Sequence, residues 1–154
     1  MFLEKHYQNA YVTADLDTAL ARLSEVHGAN SFMSIEVGTQ VWTPEGEGIA
    51  TNRLALGWIG GMQYELIQPV SGPVGIYRDA LVPGQLLRFH HVAMRADDWD
   101  GLLANVARKK KPIVYRGETD GLKFIYVDAR DTLGHYLEYV WATPEKWQIM
   151  GPRS

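Results

Sequence analysis

Two adjacent histidines stand out in LRFHHVAMRADDWD, residues 87–100. Histidine is the side chain best suited to bind a metal ion or transfer a proton near neutral pH. Successive side chains of a strand point to opposite faces, so His90 and His91 are not expected to serve the same site in an extended segment. Arg95 has the parity of His91 and is predicted to share its face. Only one of the two histidines is therefore a candidate for chemistry.

Two glutamates lie in segments that are otherwise apolar or aromatic. Glu65 occupies QYELIQ and Glu138 occupies HYLEYVW. A carboxylate buried in such surroundings is costly unless it is paired. Each glutamate therefore needs a metal ion, an arginine or water in a cavity. The simpler alternative is a glutamate exposed at the edge of a sheet.

The chain contains an internal repeat that relates these residues. Residues 8–23, QNAYVTADLDTALARL, align without a gap with residues 91–106, HVAMRADDWDGLLANV. Each copy is predicted to be a short strand, an acidic turn and a helix, because its later apolar residues follow i, i+3, i+4, i+7 spacing. The predicted helix boundaries are the N-caps Asp15 and Asp98 and the terminators Gly28 and Pro112.

Each helix is followed by three predicted strands, so each half is a βαβββ module. The strands are expected near 31–43, 51–59 and 62–69 in the first half and near 113–117, 122–128 and 134–142 in the second, with a loop at 43–50. The modules span approximately 5–70 and 87–142, and residues 71–86 form a connector with one helical turn. One helix covers only one face of a four-stranded sheet, so the other face must meet a partner, and the second module is the obvious one. We predict an α+β fold forming a single domain over residues 1–154.

The repeat also indicates which histidine belongs to the site. His91 corresponds to Gln8 at the start of the first strand of each half. Glu65 and Glu138 lie in the corresponding last strands. Together these four residues supply one nitrogen and three oxygens, a donor set suited to a divalent ion. His90 is expected to face away from the cup and to pack or hydrogen-bond in the helix layer.

Composition excludes several classes of function. There is no cysteine, so disulfides, thiolate metal sites and thiol nucleophiles are absent. The net charge of −3 gives no electrostatic argument for nucleic acid. No apolar run approaches the roughly 20 residues of a membrane span, and no signal peptide is apparent. We therefore expect a cytoplasmic protein that binds neither nucleic acid nor a membrane.

The pattern resembles the vicinal oxygen chelate superfamily, which includes glyoxalases, bleomycin-resistance proteins and extradiol dioxygenases. The stretches ELIQPVSGPVGIYRDAL and FHHVAMRADDWD are most similar to methylmalonyl-CoA epimerases and glyoxalase-like proteins. The resemblance implies that the two modules form a cupped eight-stranded mixed sheet around one site, and that a homodimer forms. It also implies a metal ion held by Gln8, Glu65, His91 and Glu138. Zinc is expected first, with nickel, cobalt, manganese or magnesium as alternatives.

The resemblance also suggests a reaction. The expected activity is that of a metal-dependent lyase or isomerase, which removes a proton next to the carbonyl of a small oxygen-chelating substrate through a metal-stabilised enediolate. Glu138 is the first candidate for the base and Glu65 the second. Arg95 matches an arginine of some epimerases and is a candidate for substrate binding; its alternative is an ion pair with Asp97. The competing class is a non-catalytic ligand-binding protein of the bleomycin-resistance type.

Three departures from the family narrow the choice of substrate and reaction. Val12 and Pro69 stand where glyoxalase I carries an arginine that binds glutathione and an asparagine. The segment TNRLALGWIGG lacks the second catalytic glutamate of the epimerases. Gln8 replaces a histidine that the iron dioxygenases require. These differences argue against glutathione as substrate, against epimerisation by two opposed carboxylates and against oxygen chemistry.

Overall fold

The computed structural model describes residues 3–151. It contains eight strands and four helices within that range. The strands are β1 (His6–Val12), β2 (Met33–Thr43), β3 (Gly46–Ile59), β4 (Met62–Ser71), β5 (Arg88–Arg95), β6 (Ile113–Thr119), β7 (Leu122–Ala129) and β8 (His135–Ala142). The helices are α1 (Leu16–His27), α2 (Gly75–Arg78), α3 (Trp99–Arg108) and α4 (Pro144–Met150). The order β1-α1-β2-β3-β4, then β5-α3-β6-β7-β8, confirms two βαβββ modules.

The eight strands form one mixed sheet that closes round a single axis in the order β1-β4-β3-β2-β6-β7-β8-β5. Strands β1 and β4 are parallel, as are β5 and β8, and the other neighbours are antiparallel. The modules meet along β1 and β5, and again along β2 and β6. The second junction is short, with only Val41 and Trp42 of β2 paired to β6. The cupped eight-stranded sheet predicted from the sequence is confirmed.

Both long helices begin where the repeat predicts. The Asp15 carboxylate accepts a hydrogen bond from the Thr18 amide at 3.0 Å, and the Asp98 carboxylate accepts one from the Gly101 amide at 3.0 Å. These side chains satisfy amides that have no partner within the first turn of a helix. Gly28 ends α1 with a positive φ of 65°, a conformation that favours glycine.

Two predicted boundaries were wrong. Strand β3 begins at Gly46 rather than near residue 51, because pairing with β2 extends to Thr43 and leaves only residues 44–45 as the turn. Helix α3 ends at Arg108, well before Pro112. Lys110 takes the left-handed conformation with φ of 53° and turns the chain towards β6.

The two long helices, α1 and α3, cover the outside of the sheet and leave its inside for a core and a cavity. Helix α1 packs through Leu16 and Ala19 on β3 and β4, and α3 packs through Val106 on β5, β7 and β8. A third cluster, which includes Tyr77 of α2 and Tyr115 and Tyr126 of the sheet, fills one end of the interior. None of the helices within residues 3–151 is long and apolar enough to cross a membrane.

Candidate metal centre

The register of four neighbouring strands brings the predicted ligands together. Strands β4, β1, β5 and β8 lie side by side in the sheet. Ala10 of β1 pairs with Glu65 on one side and with His91 on the other. Glu65 and His91 are therefore two strands apart, about 10 Å between their backbones, with only the small side chain of Ala10 between them.

The remaining two predicted ligands form the adjacent row. Ala93 of β5 pairs with Gln8 of β1 and with Glu138 of β8. Ala93 corresponds to Ala10 in the internal repeat, so each half contributes the small residue that lies between a pair of long polar ones. Both alanines are fully buried. The two equivalent alanines thus leave space above their methyl groups, and the longer polar side chains converge in that space.

Three of the four predicted ligands converge closely. The Nε2 atom of His91 lies 3.1 Å from Oε2 of Glu138 and 3.7 Å from Oε2 of Glu65. One candidate ligand atom from each of these residues lies within 4.8 Å of the others. The His91 side chain is completely buried, and the two carboxyl groups are nearly so. This His/Glu/Glu group can bind a metal ion.

Burial sets the protonation of the cluster when no cation is present. Burial raises the pKa of Glu65 to about 8, with a further contribution from the Glu138 carboxylate. Burial also raises the pKa of Glu138 to about 8, although a hydrogen bond with Tyr126 opposes the shift. The pKa of His91 falls to about 3, chiefly because the buried ring is poorly solvated. Two acidic groups held this close in a dry site need a proton or a cation between them.

Gln8 offers a further oxygen to such a cation. Its Nε2 donates a hydrogen bond to Oε1 of Gln63 at 2.7 Å. Its Oε1 is buried and has no hydrogen-bond partner among residues 3–151. An unpaired buried acceptor is costly, and a metal ion would satisfy it. The donor set and this orphaned oxygen both fit a divalent ion.

His90 fixes which nitrogen His91 presents to the carboxylates. Nε2 of His90 lies 2.9 Å from the Ile76 carbonyl, which can only accept, so this nitrogen carries the proton. Burial lowers the pKa of His90 to about 3, so the ring is neutral and its Nδ1 is an acceptor. Nδ1 of His91, 2.9 Å away, must then donate to it. The Nε2 lone pair of His91 is therefore directed at Glu138 and Glu65.

A β-bulge at His90 makes this contact possible. On β1, Ala10 and Tyr11 are consecutive, whereas their partners on β5 are His91 and Phe89. His90 is thus the extra residue of the bulge, and its ring packs near Tyr77 and Tyr126, which line the cavity. The expectation that His90 hydrogen-bonds in the helix layer is confirmed by its contact with Ile76 of α2. The contact between the His90 and His91 rings was not expected, because strict alternation puts neighbouring side chains on opposite faces and a bulge changes that alternation.

A cavity of about 710 Å³ opens above the cluster, with Gln8, Glu65 and Glu138 in its wall. Met33 and Ile149 line it but are 67% and 73% exposed, so its mouth lies between the start of β2 and α4. The other end is closed by the cluster that contains Tyr77, Tyr115 and Tyr126. The candidate metal centre therefore faces an enclosed space large enough for a small-molecule ligand.

Solved structures with the same fold include known enzymes. Methylmalonyl-CoA epimerase from Mycobacterium tuberculosis has a TM-score of 0.62 at 17% sequence identity, covering 94% of this chain and 91% of that chain. A variant of the Streptomyces coelicolor methylmalonyl-CoA epimerase in complex with 2-nitronate-propionyl-CoA has a TM-score of 0.63 at 17% identity, covering 97% and 98%. A hypothetical protein from Bacillus halodurans has a TM-score of 0.58 at 14% identity, covering 90% and 94%. This chain has the vicinal oxygen chelate fold. The sequence matches no protein-family model and no curated protein.

Within the vicinal oxygen chelate fold of this chain, Arg95 lies outside the cavity. Its Nε donates to Asp97 at 2.8 Å, and its guanidinium lies 4.9 Å from the ring centre of Trp147. The Arg95 side chain is absent from the described cavity wall, although its strand partner Val140 lines the cavity, and a role of Arg95 in substrate binding stays a prediction. The ion pair with Asp97, the alternative that the sequence left open, is the observed arrangement.

The sequence analysis missed Gln63 and did not predict the contact of His90 with His91. Gln63 is buried, lines the cavity and holds Gln8 through the hydrogen bond described above. Its parity with Glu65, two residues later on β4, was a usable signal. The contact of His90 with His91 had no such signal, because no sequence pattern at this position marks the bulge.

Proposed function

We propose that this protein is a divalent-metal-dependent isomerase or lyase that removes a proton from the carbon next to a carbonyl group. The observation that carries the proposal is the buried cluster of Glu65, His91 and Glu138, with one ligand atom of each within 4.8 Å of the others at the wall of a cavity. A buried group of one imidazole and two carboxylates has little structural purpose without a cation.

The residues that would hold the ion are Gln8, Glu65, His91 and Glu138. His91 would bind through Nε2, which the His90 contact keeps free of a proton, and Gln8 through its unpartnered Oε1. One nitrogen with three oxygens is compatible with zinc, nickel, cobalt, manganese and magnesium, and zinc is our first candidate. When bound, the ion would act as a Lewis acid that polarises the carbonyl oxygen of the substrate.

The proton would pass to a glutamate. Oε2 of both Glu138 and Glu65 is the oxygen nearer His91, which leaves Oε1 of each for a substrate proton. Glu138 is the first candidate and Glu65 the second. The C–H bond breaks, the proton moves to the carboxylate, and its transfer to a neighbouring carbon completes an isomerisation. An epimerisation needs a second group that delivers a proton to the opposite face of the same carbon.

Structures of the same fold support this class of reaction. They include a methylmalonyl-CoA epimerase in complex with methylmalonyl-CoA. An epimerase inverts one stereocentre, which requires a bond at that carbon to break and re-form. In this chain Gln8, Glu65 and Glu138 line the cavity, which supports our proposal of the same kind of proton transfer.

Metal analysis and hydrogen exchange test the proposal together. Protein purified without chelator should contain close to one divalent ion per chain, and Glu138→Ala should lose it. Glu118→Ala, a change at an exposed strand glutamate, should keep it. In D2O the metal-loaded protein should exchange the α-hydrogen of at least one member of a panel of 2-hydroxy ketones and 1,3-diketones, and EDTA should abolish the exchange. Protein that holds no stoichiometric metal would instead be a binding protein.

A further inference from the structure

We propose that the substrate is an uncharged molecule with a long apolar body and that its far end carries a hydroxyl group recognised by Asn52. The inference rests on the proposed function for the chemistry at the metal-facing end. It rests on the shape, charge and polarity of the cavity for everything beyond that end. These two parts can be tested separately.

The cavity is larger than a small hydroxy ketone requires. A volume of about 710 Å³ lies in the range of pockets that enclose drug-sized ligands. Apolar and aromatic side chains from both modules form most of its wall, among them Leu54, Leu56, Ile67, Phe124 and Val140. Contact with such a wall favours an apolar body, because removing apolar surface from water stabilises the complex.

The charge of the wall excludes an anionic body. Among the described residues that line the cavity, none is a lysine or an arginine. The charged side chains there are Glu65 and Glu138, which belong to the candidate metal centre. A phosphate or carboxylate placed along the wall would lose its hydration without gaining a counter-charge. The nucleotide part of an acyl-CoA would therefore have to remain outside the cavity.

Asn52 supplies the polar contact at the far end. Its side chain lines the cavity, and its Oδ1 is buried with no hydrogen-bond partner within the described part of the chain. A buried amide oxygen without a partner is expected to have one in the bound state. An amide presents an acceptor and a donor, and a hydroxyl group can pair with either.

The strand register gives the distance between the row of Glu65 and Asn52, and this distance sets the length of the proposed substrate. On β3, Leu56 pairs with Glu65 and Asn52 pairs with Pro69. Asn52 is thus four residues from the row of Glu65, about 13 Å along the strand. Leu54 lies on the same face between the two rows, Leu56 lies in the row of Glu65, and both line the cavity. The β3 side of the wall between the metal centre and the amide is therefore apolar, which matches a substrate with polar groups only at its two ends.

Binding of matched probes tests the inference. The probes are a twelve-carbon 2-hydroxy ketone with a terminal hydroxyl and its analogues with a terminal methyl or carboxylate, titrated by calorimetry. The hydroxyl probe should bind wild-type protein about tenfold more tightly than the carboxylate probe and about fivefold more tightly than the methyl probe. Asn52→Leu should abolish the preference for hydroxyl over methyl. Asn9→Leu, a change on β1 outside the cavity wall, should leave it intact.

The two proposals fail in different ways. The preference among terminal groups should persist in EDTA-treated protein, because it depends on the wall and Asn52. A metal-dependent gain in affinity from the hydroxy ketone head tests only the proposed function. Binding of the carboxylate probe or of methylmalonyl-CoA as tight as that of the hydroxyl probe would overturn the inference. An unchanged ratio of hydroxyl to methyl affinity in Asn52→Leu would also overturn it.

Discussion

At the scale of single residues, the adjacent histidines have different tasks in one hydrogen-bonded chain. The Ile76 carbonyl fixes the proton of His90, His90 fixes that of His91, and His91 directs a lone pair at the two glutamates. Partners of this kind orient a metal-binding histidine and raise its basicity. His90 is accordingly a positioning residue that need not touch the ion.

Replacing His90 tests this role directly. His90→Leu should weaken metal binding about 10-fold to 100-fold, because nothing then accepts the proton on Nδ1 of His91. His90→Asn should recover most of the affinity, since an amide oxygen can take the place of Nδ1. Competition with a chelating dye gives the affinities, and the thermal unfolding of both variants without metal provides the control. Equal metal affinities for the two variants would show that His90 packs against its neighbours and does not position His91.

At the scale of structural elements, two neighbouring strands create the site by carrying a small residue at equivalent positions. Ala10 on β1 and Ala93 on β5 are fully buried between the rows of longer polar side chains. Strand β1 carries a second register shift, between His6 and Gln8, next to the predicted ligand Gln8. Each of the two central strands thus combines a bulge with an alanine, as an internal repeat would lead one to expect.

Enlarging one of these alanines should block the ion and leave every ligand in place. Ala93→Leu puts a branched side chain between Gln8 and Glu138, so metal affinity should fall at least about tenfold. The cost in unfolding free energy should be about 1–3 kcal/mol, as for other overpacked cores. Ala93→Ser should bind metal nearly as the wild type does. Retention of stoichiometric metal by a folded Ala93→Leu protein would show that the ion lies elsewhere.

Helix α4 covers one side of the cavity mouth. Trp58 donates a hydrogen bond to the Met150 carbonyl at 2.9 Å, and Trp147 contacts Tyr7 edge-on with ring centres 5.3 Å apart. Such a ring pair contributes about 0.5–1.5 kcal/mol. These contacts pack α4 on the cavity of its own chain.

Removing the Trp147 ring should therefore loosen α4 without disturbing the metal. In Trp147→Ala we expect amide hydrogens of residues 144–150 to exchange about five to ten times faster, and metal content to stay unchanged. Trp42→Ala is the matched control, because Trp42 also stacks on an arginine but lies outside the described cavity wall. Unchanged exchange in α4 would mean that the helix is held by other contacts.

At the scale of the whole molecule, the buried carboxyl groups should control the pH dependence of stability in metal-free protein. In the unfolded chain they ionise near pH 4.5, whereas in the folded protein each keeps its proton until about pH 8. Stability is therefore lost as the pH rises through this range. Below pH 6.5, His90 and His91 oppose the trend, because their pKa values are lowered on folding. The clear window lies between pH 6.5 and 8.

Within that window the unfolding free energy should fall by about 2 kcal/mol for each carboxyl group that keeps its proton in the folded state. Urea unfolding of EDTA-treated protein at several pH values measures this slope. The double change Glu65→Gln and Glu138→Gln should flatten it. A stability that rises with pH between 6.5 and 8 in metal-free protein would contradict the burial of these groups.

Much of this architecture could be predicted from the sequence, because the internal repeat gives the same strand and helix pattern in each half. Local patterns that agree in both halves predict the starts of the two long helices at Asp15 and Asp98 and the division into two modules. The same patterns predict the convergence of Glu65, His91 and Glu138. The bulge at His90, the early start of β3 and the position of Arg95 depend instead on pairing between strands. Long-range contacts of this kind leave little trace in local spacing.

The central claim is that two halves of one chain hold a single cation between β1, β4, β5 and β8. Anomalous diffraction at the metal absorption edge, from crystals of protein purified without chelator, tests it most directly. The account predicts one peak at bonding distance, about 2.0–2.2 Å for zinc, from Nε2 of His91 and from oxygens of Glu65 and Glu138. A metal-saturated crystal with no peak among these three side chains would contradict it.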